Sequence, residues 1–212
     1  MKIISVCPDS FAANTYLLVS KNEAFVVDPS VSVAAIQRVL DKENAKLCGI
    51  LLTHGHFDHT VSVDTLRKNL SVPLMMHTED AQMLTDGKID GFYDFYGKES
   101  THMPADILLK NGDRLSLGDE KIEVMGTPGH SPGSVCYICD KNENERFIVT
   151  GDTLFSNSIG RSDLWRGDET ELANSLSLLS KLDKSMQLYA GHGPSSTLEA
   201  SLKIAKYYID FD

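Results

Sequence analysis

The segment His54-Gly55-His56-Phe57-Asp58-His59 constrains this chain more than any other. Three of the seven histidines fall within six positions, with an aspartate between the last two. An apolar run, Leu47 to Leu52, precedes the segment, and a helical pattern through Val61, Leu66 and Leu70 follows it. The histidines therefore lie at a strand-to-helix junction. Extended residues alternate sides, so His54 and His56 point the same way at the strand's end and can grip one cation. Asp58 and His59, where the helix begins, reach a second position close by. Imidazole nitrogens with one carboxylate are the donors that zinc and similar borderline ions take, and three protein ligands leave a position open for water.

Further ligands are expected from places with the same local grammar, a strand running into a turn that carries His or Asp. Three qualify. Ile122 to Met125 leads into Gly126-Thr127-Pro128-Gly129-His130, Phe147 to Val149 into Thr150-Gly151-Asp152, and Met186 to Tyr189 into Ala190-Gly191-His192-Gly193. A Gly just before each polar residue lets the backbone approach a site closely. Singly, His130, Asp152 and His192 read as turn residues. Taken with the His54 cluster they read as ligands, because buried imidazoles and carboxylates need partners and a shared cation supplies them.

The rest of the chain reads as strands in two groups, each followed by helices. Lys2 to Val6, Asn14 to Val19 and Ala24 to Val27 form a meander, with turns at Pro8-Asp9-Ser10 and Lys21-Asn22-Glu23. Val33, Ile36, Val39 and Leu40 recur at helical spacing, with Ser32 placed to cap a helix over 32–43. Val72 to Met76 is a strand and Thr78 to Leu84 a helix. Residues 85–105, with the aromatics Phe92, Tyr93, Phe95 and Tyr96, lack periodicity and read as a mobile insertion that either covers a substrate pocket or packs onto the domain. Strands resume at Ile107 to Leu109, Arg114 to Leu117, Lys121 to Met125, Val135 to Cys139 and Arg146 to Val149, with turns at Asn111-Gly112-Asp113 and Lys141-Asn142-Glu143-Asn144. Asp168 with Glu171 caps a helix through Leu172, Leu176, Leu179 and Leu182. Met186 to Ala190 is the last strand, and Leu198, Leu202, Ala205 and Tyr208 or Ile209 mark the last helix. Two packed sheets with helices outside satisfy all these apolar faces in a single α/β domain.

Charge and composition exclude several classes. With 20 Lys+Arg against 30 Asp+Glu, a net charge of −10, the chain lacks the clustered positive charge that nucleic-acid binding draws on. The N-terminal apolar stretch is broken by Ser5 and ended by Pro8, too short for a signal peptide, and no window suits a membrane span. Four scattered cysteines, Cys7, Cys48, Cys136 and Cys139, fit a reducing compartment, and a cytoplasmic protein is expected. Cys136 and Cys139 have redox spacing but sit inside a strand, which makes them core residues. His77 reads as structural, and His102 lies in the aromatic insertion.

Thr53 to His59, followed by Gly129-His130-Ser131-Pro132-Gly133, Gly151-Asp152-Thr153-Leu154-Phe155 and Gly191-His192-Gly193, resembles the metallo-β-lactamase superfamily, and within it the glyoxalase II (hydroxyacylglutathione hydrolase) branch. The resemblance implies a four-layer αβ/βα sandwich of two mixed sheets with helices outside. It further implies that His54, His56 and His130 hold one metal, that Asp58, His59 and His192 hold another, and that Asp152 bridges both. Two divalent ions are expected, zinc being the usual one, with iron and manganese also accepted by members. The implied reaction is hydrolysis of a small-molecule thioester such as S-lactoylglutathione by a hydroxide shared between the metals, with Asp58 orienting the nucleophile or handling its proton. Two departures bear on substrate. No helical glutathione-binding region is expected after His192 within residues 1–212, and Asp163 stands where that branch has an aromatic. Arg161 matches the branch's basic position, to attract a glutathione carboxylate or to pair with Asp163. The chain is thus similar to short, single-domain glyoxalase II-like hydrolases. The alternative is a persulfide dioxygenase of the same fold, with one iron on His54, His130 and Asp152.

Overall fold

The computed structural model describes residues 1–7, 13–140 and 145–212; the turns expected at Pro8-Asp9-Ser10 and Lys141-Asn142-Glu143-Asn144 lie outside the described residues. Strands β1 (Lys2–Val6), β2 (Thr15–Ser20), β3 (Glu23–Val27), β4 (Lys46–Leu51), β5 (Leu74–His77) and β6 (Ile107–Leu109) form one six-stranded sheet in that order. The first three strands are antiparallel, as short turns permit, and β3 to β6 run parallel. The second sheet has the order β12-β11-β10-β9-β8-β7, built from β7 (Arg114–Leu117), β8 (Glu120–Gly126), β9 (Val135–Asp140), β10 (Arg146–Gly151), β11 (Gln187–Ala190) and β12 (Ser196–Thr197). Only β10 and β11 pair in parallel there, so both sheets are mixed.

Alternation along the strands builds the layers. Tyr16, Leu18, Phe25 and Val27 from the first sheet meet Ile122, Val124, Tyr137 and Val149 from the second in a core between the sheets. Their neighbours Leu17, Val19 and Val26 turn outward onto Ala35, Ile36 and Leu40 of α1 (Val33–Glu43) and onto Val63 and Leu66 of α3 (Val63–Leu70). On the other side Cys136, Ile138, Ile148 and Leu188 pack against Leu172, Leu176 and Leu179 of α6 (Glu169–Leu179) and Leu198 and Leu202 of α7 (Leu198–Ala205). The result is the expected four-layer sandwich. Its helix starts are capped as read, Ser32 Oγ accepting from Ala35 N at 3.3 Å and Asp168 Oδ1 from Glu171 N at 2.9 Å. Among the described residues no helix is long and apolar enough to cross a membrane.

Three local readings change. The helix expected through Val61 divides into α2 (Phe57–Thr60) and α3, leaving Val61 60% exposed. Ser62 causes the break: its N and Oγ donate to Pro29 O at 2.9 Å and Val31 O at 2.6 Å, tying the chain to the loop after β3. After the 3-10 turn Thr78–Asp80 and the short α4 (Ala81–Thr85), residues 85–105 contain α5 (Phe92–Tyr96), set between Gly91 and Gly97 in the left-handed region. Phe92, Phe95 and Tyr96 place their rings 5.4–5.9 Å from that of Phe57. Last, α7 stops at Ala205, so Ile209 rather than Tyr208 returns to the core, while Tyr208 is largely exposed.

Candidate metal centre

Four strands end on one side of the sandwich and carry the polar residues there. β4 leads to His54, His56, Asp58 and His59, β8 to His130, β10 to Asp152 and β11 to His192. Hydrogen bonds between the sheets bring these ends together. Tyr137 Oη donates to Leu52 O at 2.7 Å, Val135 N to Thr53 O at 2.9 Å, and Tyr16 Oη to Ala190 O at 2.8 Å. Asn14 closes the His192 loop by donating from its backbone N to Gly191 O at 2.6 Å and from Nδ2 to Gly193 O at 2.8 Å.

All seven expected residues converge. His54, His56 and His130 bring one ring nitrogen each within 4.8 Å of one another, and so do Asp58, His59 and His192 with their donor atoms. Asp152 lies between the sets, its Oδ1 3.4 Å from His59 Nε2 and its Oδ2 3.7 Å and 3.5 Å from Nε2 of His130 and His192. The three-histidine set is buried, whereas Asp58 and His192 are 33% and 38% exposed. One side of the centre therefore opens outward.

The ring nitrogens that face inward are the ones left free. His130 Nδ1–H donates to Arg161 O at 2.7 Å, which leaves the Nε2 lone pair pointing into the site. Asp28 does the same for two more histidines. Its Oδ2 accepts from His59 Nδ1 at 2.9 Å and from Thr53 Oγ1 at 2.7 Å, and Thr53 Oγ1 in turn accepts from His54 Nδ1 at 3.0 Å. His54 and His130 then present Nε2 atoms 3.3 Å apart. Two nitrogens on one tetrahedral zinc, each at roughly 2.0–2.1 Å, would lie about 3.3–3.4 Å apart, so the spacing fits a shared ion. His56 turns Nδ1 toward the same point, 2.8 Å from His130 Nε2, while His59 Nε2 and Asp152 Oδ1 are buried without a hydrogen-bond partner, a costly arrangement that a bound cation relieves.

Electrostatics point the same way. Burial, reinforced by the neighbouring histidines, pushes the His54 imidazole well down, and burial with His130 beside it brings His56 to about 3. Both are thus neutral, the form in which imidazole donates to a metal. Burial alone would raise the Asp152 carboxyl, but His59, His130 and His192 around it hold it far below the usual carboxylate range. Burial likewise opposes ionisation of Asp58, and the hydrogen bond from His192 overcomes it. Burial alone would lower the imidazoles of His59 and His192, but Asp152 and Asp28 hold His59 well up and the hydrogen bond to Asp58 holds His192 up, so on that side a cation takes the place of protons beside the carboxylates.

Asp28 was not among the residues expected from the sequence, although Val27-Asp28 repeats the strand-then-aspartate grammar that marks Asp152. Its side chain is wholly engaged, since Oδ1 also accepts from Thr53 N at 2.8 Å. Replacing Asp28 with Asn puts an amide NH₂ against one of these donors and frees the ring orientations it fixes. Zinc affinity, read by competition with a chromophoric chelator, is expected to fall about 10–100-fold. An unchanged affinity would remove Asp28 from the centre's support.

The remaining candidates fall elsewhere. Arg161 lines the cavity of about 130 Å³ beside the centre, together with Phe57, Asp90, Gly91, Phe95 and Leu164. Its guanidinium also forms a two-pronged pair with Asp163, at 2.6 and 2.8 Å, and this pair holds the Asp163 carboxyl down at about 2. His77 ends β5 and accepts from Glu79 N at 3.3 Å, a structural cap. His102 bonds Thr60 Oγ1 at 3.1 Å and Asp64 at 3.3 Å, behind α2. Cys136 and Cys139 are fully buried in β9, and burial raises the Cys136 thiol to about 12, so both are packing residues.

Known proteins share this architecture. A bacterial relative described as "Probable metallo-hydrolase YqgX", from Bacillus subtilis (strain 168), is 34% identical over 185 residues, covering 87% of this chain and 86% of its own. Among solved structures, BLEG-1 B3 metallo-beta-lactamase superposes with a TM-score of 0.85 at 36% identity, covering 95% of this chain and 97% of its own. TTHA1623, solved in a di-iron-bound form, gives 0.80 at 28% identity over 98% of this chain and 100% of its own. The description "Metallo-beta-lactamase superfamily" matches residues 8–192, from before β2 to His192, and with it the centre described above. The chain belongs to the metallo-β-lactamase superfamily.

Proposed function

We propose that this protein is a metal-dependent thioester hydrolase of glyoxalase II type, acting on an acyl-glutathione-like substrate. His54, His56 and His130 would hold one divalent ion and Asp58, His59 and His192 the other, with Asp152 placed between the two sets. The observation that carries the reading is the placement of Asp152 between two complete donor sets, supported by the di-iron form of a relative of similar length. Ions held this way supply Lewis-acid polarisation of a carbonyl and a water that loses its proton near neutral pH. Zinc suits the donor set, five imidazoles and two carboxylates.

The chain's own groups define the rest. Asp58 keeps an ionised, partly exposed carboxylate at the open side, where, besides serving as a ligand, it orients the nucleophile or handles its proton. Phe57 and Phe95 form an apolar wall of the adjoining cavity, and their rings exclude water from the acyl group. Arg161, held in plane by Asp163, offers positive charge for a glutathione carboxylate.

Purified protein loaded with zinc is expected to cleave S-D-lactoylglutathione, followed by loss of thioester absorbance. A protein that left thioesters intact but consumed oxygen with glutathione persulfide would be the mononuclear-iron dioxygenase instead. One that cleaved only a chromogenic cephalosporin would be a β-lactamase.

A further inference from the structure

One buried carboxylate near the centre has no part in the chemistry above. Asp80 ends the 3-10 turn that follows β5 and is fully buried. Its Oδ2 accepts from Gly55 N at 3.0 Å and from Ser131 Oγ at 2.7 Å, and its Oδ1 accepts from Gly133 N at 2.6 Å. All three donors are neutral. The first belongs to the residue between His54 and His56, and the other two to the loop that begins at His130. Asp80 is therefore hydrogen-bonded at once to both segments that supply the three-histidine set.

The segments are shaped to reach it. A Cβ at Gly133 would lie 2.6 Å from Asp80 N and 2.7 Å from Asp80 Cγ, and a Cβ at Gly55 would lie 2.7 Å from Met83 Cβ and 3.2 Å from Asp80 O. Glycine at both positions lets the two backbones close on one side chain. Ser131 Oγ also lies 2.7 Å from Ser134 Oγ, which accepts from Ser131 N at 3.1 Å, so the loop after His130 is held in one conformation around the carboxylate. Nothing comparable joins Asp80 to His59, Asp152 or His192. Its three bonds are all to the side of the centre that carries His54, His56 and His130.

We propose that Asp80 is a positioning residue that sets the distance between the His54–His56 pair and His130, and so selectively fixes the metal affinity of the three-histidine site. It touches neither metal nor substrate. Charge-assisted bonds from one rigid carboxylate to two separate loops are stronger than neutral ones and fix geometry as well as energy. Asn in its place keeps the volume but turns a donor toward one of the three donors, which loosens one loop against the other. The inference rests on the metal-ligand reading given under the proposed function.

The test uses the full chain, stripped by chelation and titrated with Zn²⁺ alone against a chromophoric competitor. First, two zinc ions bind the wild-type chain; a wild-type chain that binds none overturns the metal reading itself, and this inference with it. Asp80→Asn is then placed in two backgrounds. Asp58→Ala leaves the three-histidine site, and there Asp80→Asn is expected to weaken zinc binding about 10–100-fold. His56→Ala leaves the other site, where the same change is expected to alter affinity by no more than about twofold. Ser131→Ala, which removes the bond to Asp80 together with the one that Ser134 Oγ donates to Ser131 Oγ, repeats the pattern at reduced size and serves if Asp80→Asn does not fold. Equal losses in both backgrounds, or no loss in the Asp58→Ala background, would overturn the proposal, because a general packing defect does not distinguish the sites.

Discussion

Asp152→Ala is expected to leave one metal or none per chain and to lower kcat/KM for the thioester by at least about 10³-fold, some 4 kcal/mol in the barrier. The reason is charge. Two dications roughly 3.5–4 Å apart repel by on the order of 15–20 kcal/mol at an effective dielectric near 20. An imidazole bound to a metal carries no charge and cannot offset this repulsion; among the seven side chains only Asp58 and Asp152 carry negative charge. Asp152 is the one of the two that faces both sets, its oxygens lying 3.4–3.7 Å from His59, His130 and His192. Asp152→Asn, with the shape kept and the charge removed, is expected to lose metal nearly as completely. Elemental analysis of the purified variants reads the first effect and the thioester assay the second. Two ions retained with activity within tenfold of wild type would show that Asp152 does not bridge.

Gly191→Ala is the second change with a large expected effect, although it removes no ligand. A Cβ there runs into Asp152 Oδ1, and lies 2.9 Å from His59 Cε1 and 3.0 Å from Gly151 C. The backbone cannot yield easily, since Gly191 N donates to Gly151 O at 2.7 Å and Gly191 O accepts from Asn14 N. The added methyl therefore pushes on the carboxylate and on His59. Overpacking of this kind costs about 1–3 kcal/mol of stability, and displacing reacting groups by about 1 Å costs about 10²-fold in rate. A variant that remains folded by circular dichroism, loses at least half its metal and drops about 10²-fold in kcat/KM is the expected outcome. Full metal content and unchanged rate would mean that Gly191 does not pack against the centre.

Much of this arrangement was legible in the sequence because the centre lies at strand ends, where periodicity stops and a polar residue follows a glycine. The same local pattern marks His130, Asp152 and His192, and the structure brings all three to the His54 cluster. Helix starts were equally plain, since the caps Ser32 and Asp168 act within three residues of their own position. What sequence could not show is whatever depends on distant partners. Ser62 breaks a helical pattern through bonds to Pro29 and Val31, some thirty residues back. Asp80 reads as an acid in the first turn of a helix, and nothing local says that it bonds residues 51 and 53 positions further on. The strand β12 is two residues long, too short for alternation to register. The aromatics of residues 85–105 have no period because they gather on a single ring, Phe57, instead of lining a helix face.

The claim on which all of this rests is that seven side chains from four strand ends hold two cations. Titrating metal-free protein with Zn²⁺ while counting bound ions tests it most directly. Two tight sites are predicted, with one lost on His56→Ala and the other on His192→Ala. Fewer than two sites at saturation, or two that survive both replacements, would contradict it.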